Sequence, residues 1–360
     1  MWTASLFSFL FATPGLVAPA QAARPPVPYE GDFTVPLDPK VLEKFCRRHN
    51  AITGDLTFDR TYVATDLSVM SCVDRVDGRL VVKNTPNVET LDGLTLDAMA
   101  GVPLKSLRLV GNQSLVDVSG LTAQTELRTA RIVIERNGRL QSIRGLPTIV
   151  GNTDIQVSEN VDLLELEVPS GHRRATRLGS VSIESNPRLT SVRGLDRVEA
   201  AASVSLRDNP RLRDWSGLPL LTEVGAWAVS GQPMLVEWSA APRLSIIGTY
   251  TVQDCDGLER VPGLPDLTRL GSLHIVDNDS LVTLAGFTAS RNGHPTVDRV
   301  VVTGNPKLSQ EAVEQLLDRM HLPAGAGAVR TEDNGGAVPG PRADGTEAQP
   351  DALNRETSSE

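Results

Sequence analysis

Gly271-Ser-Leu-His-Ile-Val-Asp-Asn-Asp-Ser-Leu-Val-Thr-Leu-Ala-Gly-Phe287 is the clearest copy of a pattern that returns ten times in 360 residues. Written G-x-L-x-I-x-x-N-x-x-L-x-x-L-x-G-L, it anchors on the leucine three residues after the asparagine. The anchors are Val88, Leu115, Leu140, Leu163, Leu189, Leu212, Leu235, Leu258, Leu281 and Leu308, separated by 27, 25, 23, 26, 23, 23, 23, 23 and 27 residues. A period of this size marks a repeat fold, in which each unit buries its apolar side only by stacking on the next.

Three columns run through the copies. The asparagine column reads Thr85, Asn112, Asn137, Asn160, Asn186, Asn209, Gln232, Cys255, Asn278 and Asn305. A buried amide bonded to the backbone of neighbouring coils explains it, since buried polar groups need partners. A surface turn that favours Asn is the alternative, but Cys255 suits a buried site better. Before the Asn comes a two-residue alternation, as in Val181-Ser-Ile183, Val204-Ser-Leu206 and Tyr250-Thr-Val252. It predicts a short strand with one face inward. A third apolar column follows the anchor: Leu91, Val118, Ile143, Leu166, Val192, Trp215, Trp238, Val261 and Leu284. No copy holds a helical run of ten residues. The expected fold is all-β, a right-handed solenoid of about ten coils of 23–27 residues with short helical caps.

The ends read differently. Residues 1–22 carry no charge, hold the apolar Leu6–Phe11 core and end in Ala20-Gln21-Ala22, as a secretory signal would. A basic start is missing, and Pro14, Gly15, Pro19 and Gln21 make the segment a poor membrane span. No cysteine near that site indicates a lipid anchor. Residues 23–37 form a Pro-rich lead-in. Asp38-Pro39 predicts an N-cap and first turn for a capping helix before a first strand at Ile52–Phe58. Ser309 predicts a second cap, on a helix burying Val313, Leu316, Leu317 and Met320. The solenoid domain is thus expected over 38–322. Residues 323–360, poor in large apolar side chains, read as a disordered tail without a GPI-type hydrophobic signal.

The net charge of −9 and the lack of a basic tract argue against nucleic acid as a partner. In a secreted chain, Cys46 in the first cap and Cys72 before the next strand predict a disulfide, the alternative being two separate buried thiols. Cys255, in the Asn column, is expected to be an inert buried thiol.

Cys46, Ile52-Thr-Gly-Asp-Leu56, Cys72 before Val76-Asp-Gly-Arg-Leu80, the repeated units and the closing Gly304-Asn-Pro-Lys-Leu-Ser309 together resemble the receptor L-domain family. The resemblance covers roughly residues 44–320. That family includes the β-helical ligand-binding domains of the insulin and epidermal growth factor receptors and bacterial and fungal surface relatives. The chain has no Cys-rich module, kinase or membrane span between or beyond its repeats, so receptor signalling does not carry over. It is most similar to the stand-alone secreted bacterial kind. Ordinary leucine-rich repeats are the near alternative.

For function, His49, His172, His274, His294 and His321 share no register with carboxylates or cysteines, and no Gly-rich phosphate loop leads into a helix. No catalytic residue, metal site or cofactor is expected. The outward strand positions are Ser180, Ser182, Ser203, Ser205, Ala226, Ala228, Thr249, Thr251, Ser272 and His274. They read either as a solvated sheet face or as a flat docking surface. The resemblance favours docking, because family members use sheet faces and adjoining edges for ligands. The expected function is a non-catalytic extracytoplasmic binding or adhesion module, secreted, periplasmic or at the cell surface, for a protein or glycan partner. A carbohydrate-active enzyme on a β-solenoid is the alternative.

Overall fold

The computed structural model describes residues 27–335 apart from 95–103, 122–125, 129, 145, 147, 169–175, 237, 239–240, 288–292 and 324–328. The expected signal at 1–22, His172 and residues 336–360 lie outside the described residues.

Among the described residues, the alternating segments become one parallel sheet of thirteen strands in chain order. It runs from Phe33–Thr34 through Leu56–Phe58, Arg79–Lys83 and on to Val198–Arg207, Glu223–Ser230, Ile246–Gln253, Arg269–Val276, Thr296–Thr303 and Val329–Arg330. Each strand pairs only with its neighbours one coil away. The third apolar column builds a second, four-stranded parallel sheet from Ser142–Ile143, Glu165–Glu167, Ser191–Arg193 and Asp214–Trp215. Between them lies one continuous core. Every anchor from Val88 to Leu308 is fully buried, as are the inward strand residues Ile183, Val229, Val252 and Ile275. Trp215, Trp227 and Trp238 also point inward and pack with Tyr250 and Phe287.

The Asn column is the predicted buried ladder. Asn112, Asn137, Asn160, Asn186, Asn209, Asn278 and Asn305 are all 0 % exposed. The backbone N–H of each of Asn112, Asn137, Asn160 and Asn186 donates to Oδ1 of the next rung at 3.1 Å. The Nδ2 groups donate back to strand carbonyls of the preceding coil, as Asn209 does to Ile183 at 3.0 Å. The residue before each rung turns the corner with positive φ: Asn84, Gly111, Arg136, Glu159, Ser185, Asp208, Gly231, Asp254, Asp277, Gly304 and Asp333. All eight described non-Gly residues with positive φ belong to this column. Left-handed backbone is unfavourable for L residues, so it is held here by the ladder that follows it.

Both ends extend further than the repeats suggest. The first strands precede the cap: Pro28–Tyr29 pairs with Ala51–Ile52, and Phe33–Thr34 with Leu56–Thr57. Helix α1 (Pro39–Cys46) follows them, with the Asp38 carboxylate accepting from the Lys40 N–H at 2.9 Å and Phe45 buried. Part of the lead-in is therefore solenoid. At the other end, helix α2 (Gln310–Asp318) is N-capped by Ser309 and buries Val313 and Leu316. Beyond it, Val329–Arg330 pairs with Val300–Val301, and Asn334 forms a further rung. Its Oδ1 accepts from Asn305 Nδ2 at 3.0 Å, and its Nδ2 donates to the Val302 carbonyl at 2.6 Å. The reading of 323–360 as disordered throughout thus needs correction for 329–335: backbone pairing orders this stretch without large apolar side chains.

Cys46 and Cys72 form a disulfide, with Cα atoms 5.5 Å apart, joining α1 to the next coil. It closes a loop 26 residues apart in sequence. In the chain-entropy account such a loop is worth about 3 kcal/mol. Cys46→Ala/Cys72→Ala should lower the unfolding free energy by that order in urea, with the folded circular dichroism spectrum retained. An unchanged midpoint would show that the bond staples nothing. Cys255 is free and buried, and burial pushes its thiol up to about 12.

Candidate functional site

Register places the outward residues in two straight rows across the main sheet. One row is Ser180, Ser203, Ala226, Thr249 and Ser272, ending on Arg299. The other is Ser182, Ser205, Ala228, Thr251 and His274, ending on Val301 and Arg330. Parallel pairing repeats at about 4.8 Å, so each row is a ladder of short side chains at that spacing. All ten positions come together on one face. Ser180 is exposed and the other nine are half-buried by their neighbours.

Two of the ten are tied into local bonds. The Ser180 N–H donates to Asp154 Oδ1 at 2.8 Å, and Ser182 Oγ donates to Glu184 Oε1 at 2.7 Å. Ser205 Oγ is buried without a hydrogen-bond partner, so it faces outward but is covered by its neighbours. Burial, with Arg299 nearby, holds the His274 imidazole below its usual value, so it is neutral at pH 7. Charge lies at the margins. Arg131 donates to Gln156 Oε1 at 3.0 Å on one side, and exposed Arg299 and Arg330 stand on the other.

The sheet face is bounded by a structural column that the sequence reading passed over. Gly225, Gly248 and Gly271 sit at the third position of successive strands, Glu223–Ser230, Ile246–Gln253 and Arg269–Val276. A Cβ on any of them would overlap the carbonyl oxygen of the coil before: Ala202, Gly225 and Gly248 respectively. The first glycine of the repeat thus lets coils approach. Its recurrence in the consensus was the available signal.

Concavities also lie off this face. An open groove of about 700 Å³ follows the ladder corner, with Val161, Pro187 and Pro210 among its lining residues and the Arg136–Glu159 ion pair at 2.9 Å beside them. A smaller hollow of about 330 Å³ is lined by Trp238, Arg260 and Thr283. Among the described residues, no group of three or more His, Cys, Asp or Glu is arranged to hold a metal ion. No described helix is long and apolar enough to cross a membrane. The chain matches no family model, no curated protein and no solved structure.

Proposed function

We propose that the protein is a non-catalytic extracytoplasmic binding module of the receptor L-domain kind, which docks a protein or glycan on the two-row sheet face. The observation that carries this reading is the register itself. Five consecutive strands present ten outward positions of which nine are Ser, Thr or Ala. Short side chains let a flat partner approach the backbone, and they lose little rotamer freedom on docking. The Cys46–Cys72 bond is compatible with an oxidising compartment.

A glycan array and a panel of extracellular matrix proteins, probed with the purified chain, test it. Ser203→Arg/Thr251→Arg should reduce any saturable signal by about tenfold or more, because two long charged side chains hold a flat surface off. Substitution of Pro187 and Pro210 in the corner groove should leave it unchanged. A signal that survives the face variant and disappears with the groove variant makes the face merely solvated. Saturable turnover of a polysaccharide by the purified chain would overturn the non-catalytic reading.

A further inference from the structure

The stretch 329–335 differs from the coils before it in how it is held. Every earlier rung from Thr85 to Asn305 is 0 % exposed and is followed by a fully buried anchor. None of residues 329–335 is buried, and Val329 is 42 % exposed. What holds the stretch is polar. Val329–Arg330 pairs in parallel with Val300–Val301. The Gly304 N–H donates to the Glu332 carbonyl at 3.3 Å, and the Gly335 N–H to the Asn305 carbonyl at 3.2 Å. Asn334 Oδ1 accepts from the N–H and Nδ2 of Asn305 at 3.4 and 3.0 Å, and its Nδ2 donates to the Val302 carbonyl. Apolar burial is the main favourable term in folding, and a segment with little of it opens locally well below the global unfolding energy. Opening bares the outer edge of Val300–Asn305, whose backbone groups can template another strand.

The same contacts define what that edge accepts. Asp333 turns the corner at φ 56°, a backbone that Asp, Asn and Gly tolerate. The next residue presents an amide that accepts from Asn305 and donates to Val302. At Gly335 a Cβ would stand 2.6 Å from the Pro306 carbonyl oxygen and 2.9 Å from that of Leu308, so glycine is required there. These demands are local to one short segment and use nothing else of the chain.

We propose that the outer edge of Val300–Asn305 is an acceptor site for an extended peptide that carries Asn-Gly after a short parallel strand, with 329–335 as its built-in competitor. Recognition is by strand addition, with the backbone giving affinity and the Asn-Gly pair giving specificity. Tethering gives the built-in segment a high effective concentration. The inference does not depend on the binding role proposed above.

A fluorescent peptide with the sequence of residues 328–336, titrated with the full chain and read by anisotropy, tests it. The parent should bind weakly, because its own segment occupies the edge. Asn334→Ala/Gly335→Ala in the full chain should take the peptide about tenfold or more tighter, because the competitor is lost. The same two changes made singly in the peptide should each weaken its binding to that variant by about tenfold or more. Both positions are unburied, so the circular dichroism spectrum should not change. Hydrogen exchange at the Gly304 and Asn305 amides should quicken in the variant and slow again with peptide. Equal binding by parent and variant overturns the proposal, as do edge amides that stay protected in the variant. So do peptides bound alike whatever stands at their Asn and Gly positions. A variant that associates with its own copies at the freed edge and leaves the peptide unbound overturns it too.

Discussion

Asn186→Ala is expected to lower the unfolding free energy by about 3 kcal/mol or more, because several buried partners lose their bonds at about 1–3 kcal/mol each. Asn186 Oδ1 accepts from the N–H and the Nδ2 of Asn160, at 3.1 and 3.2 Å. Its Nδ2 donates to the carbonyls of Val157 and Glu184 and to Asn209 Oδ1, at 3.1, 2.9 and 3.2 Å. Alanine removes all of these in a fully buried site, where water cannot replace them. Urea unfolding that leaves the midpoint where it was would sink the ladder as a stabilising device.

The same column predicts a change of opposite sign. Gln232 is one methylene longer than the asparagines of the column. Its Nε2 donates to the Ser230 carbonyl at 2.9 Å, but its buried Oε1 has no partner. Gln232→Asn brings the amide into line with Asn209 and should raise stability by about 1 kcal/mol. The interruption coincides with other unmatched groups: the indole N–H of Trp215, Trp227 and Trp238 and the Tyr250 hydroxyl are buried without partners nearby in the stack. These coils trade polar satisfaction for aromatic packing.

Gly248→Ala is the second large effect, about 3 kcal/mol of destabilisation from overpacking. The added methyl would overlap the Gly225 carbonyl oxygen, which is backbone held in the sheet and cannot swing aside. Gly263→Ala is the control, since the nearest atom to its Cβ lies 3.8 Å away. A denaturation series in which both variants behave alike would show that coil approach does not depend on the glycine.

The central architecture was legible because each repeat column answers to a separate physical demand. Leucines at the anchor fill the core, Asn satisfies the corner, and alternation sets the strand face. The ends were less legible for equally physical reasons. Pro28–Tyr29 and Phe33–Thr34 are two-residue strands without an Asn corner, so no column marks them. Asp333-Asn334 has the corner but no anchor leucine three residues on, which hides the last rung in a polar, Gly-rich stretch. The positive-φ column is visible at Asp208, Asp254 and Asp277, residues that tolerate such backbone, and obscured by Arg136 and Glu159. The ten face residues were placed correctly by alternation alone. Covering of the Ser205 hydroxyl was not readable, because it depends on strands one coil to either side.

Spacing within the coil gives the molecule one fixed side and one adjustable side. From the inward residue near the start of each long strand to the third apolar column the count is fourteen in five coils, as from Leu270 to Leu284 or Val224 to Trp238, and thirteen only from Thr153, where the register shifts. The return to the next strand does change. It takes nine residues from Val192, Trp215, Trp238 and Val261, twelve from Leu166 and thirteen from Leu284. Length is therefore quantised where the ladder runs and continuous where the chain comes back. Insertions on the return side lengthen a loop at little entropic penalty, whereas a single residue added within the strand flips the faces unless a local register shift absorbs it, as between Thr153 and Ile155. Such a scaffold can acquire new surface on one flank over evolutionary time while the opposite flank stays a ruler.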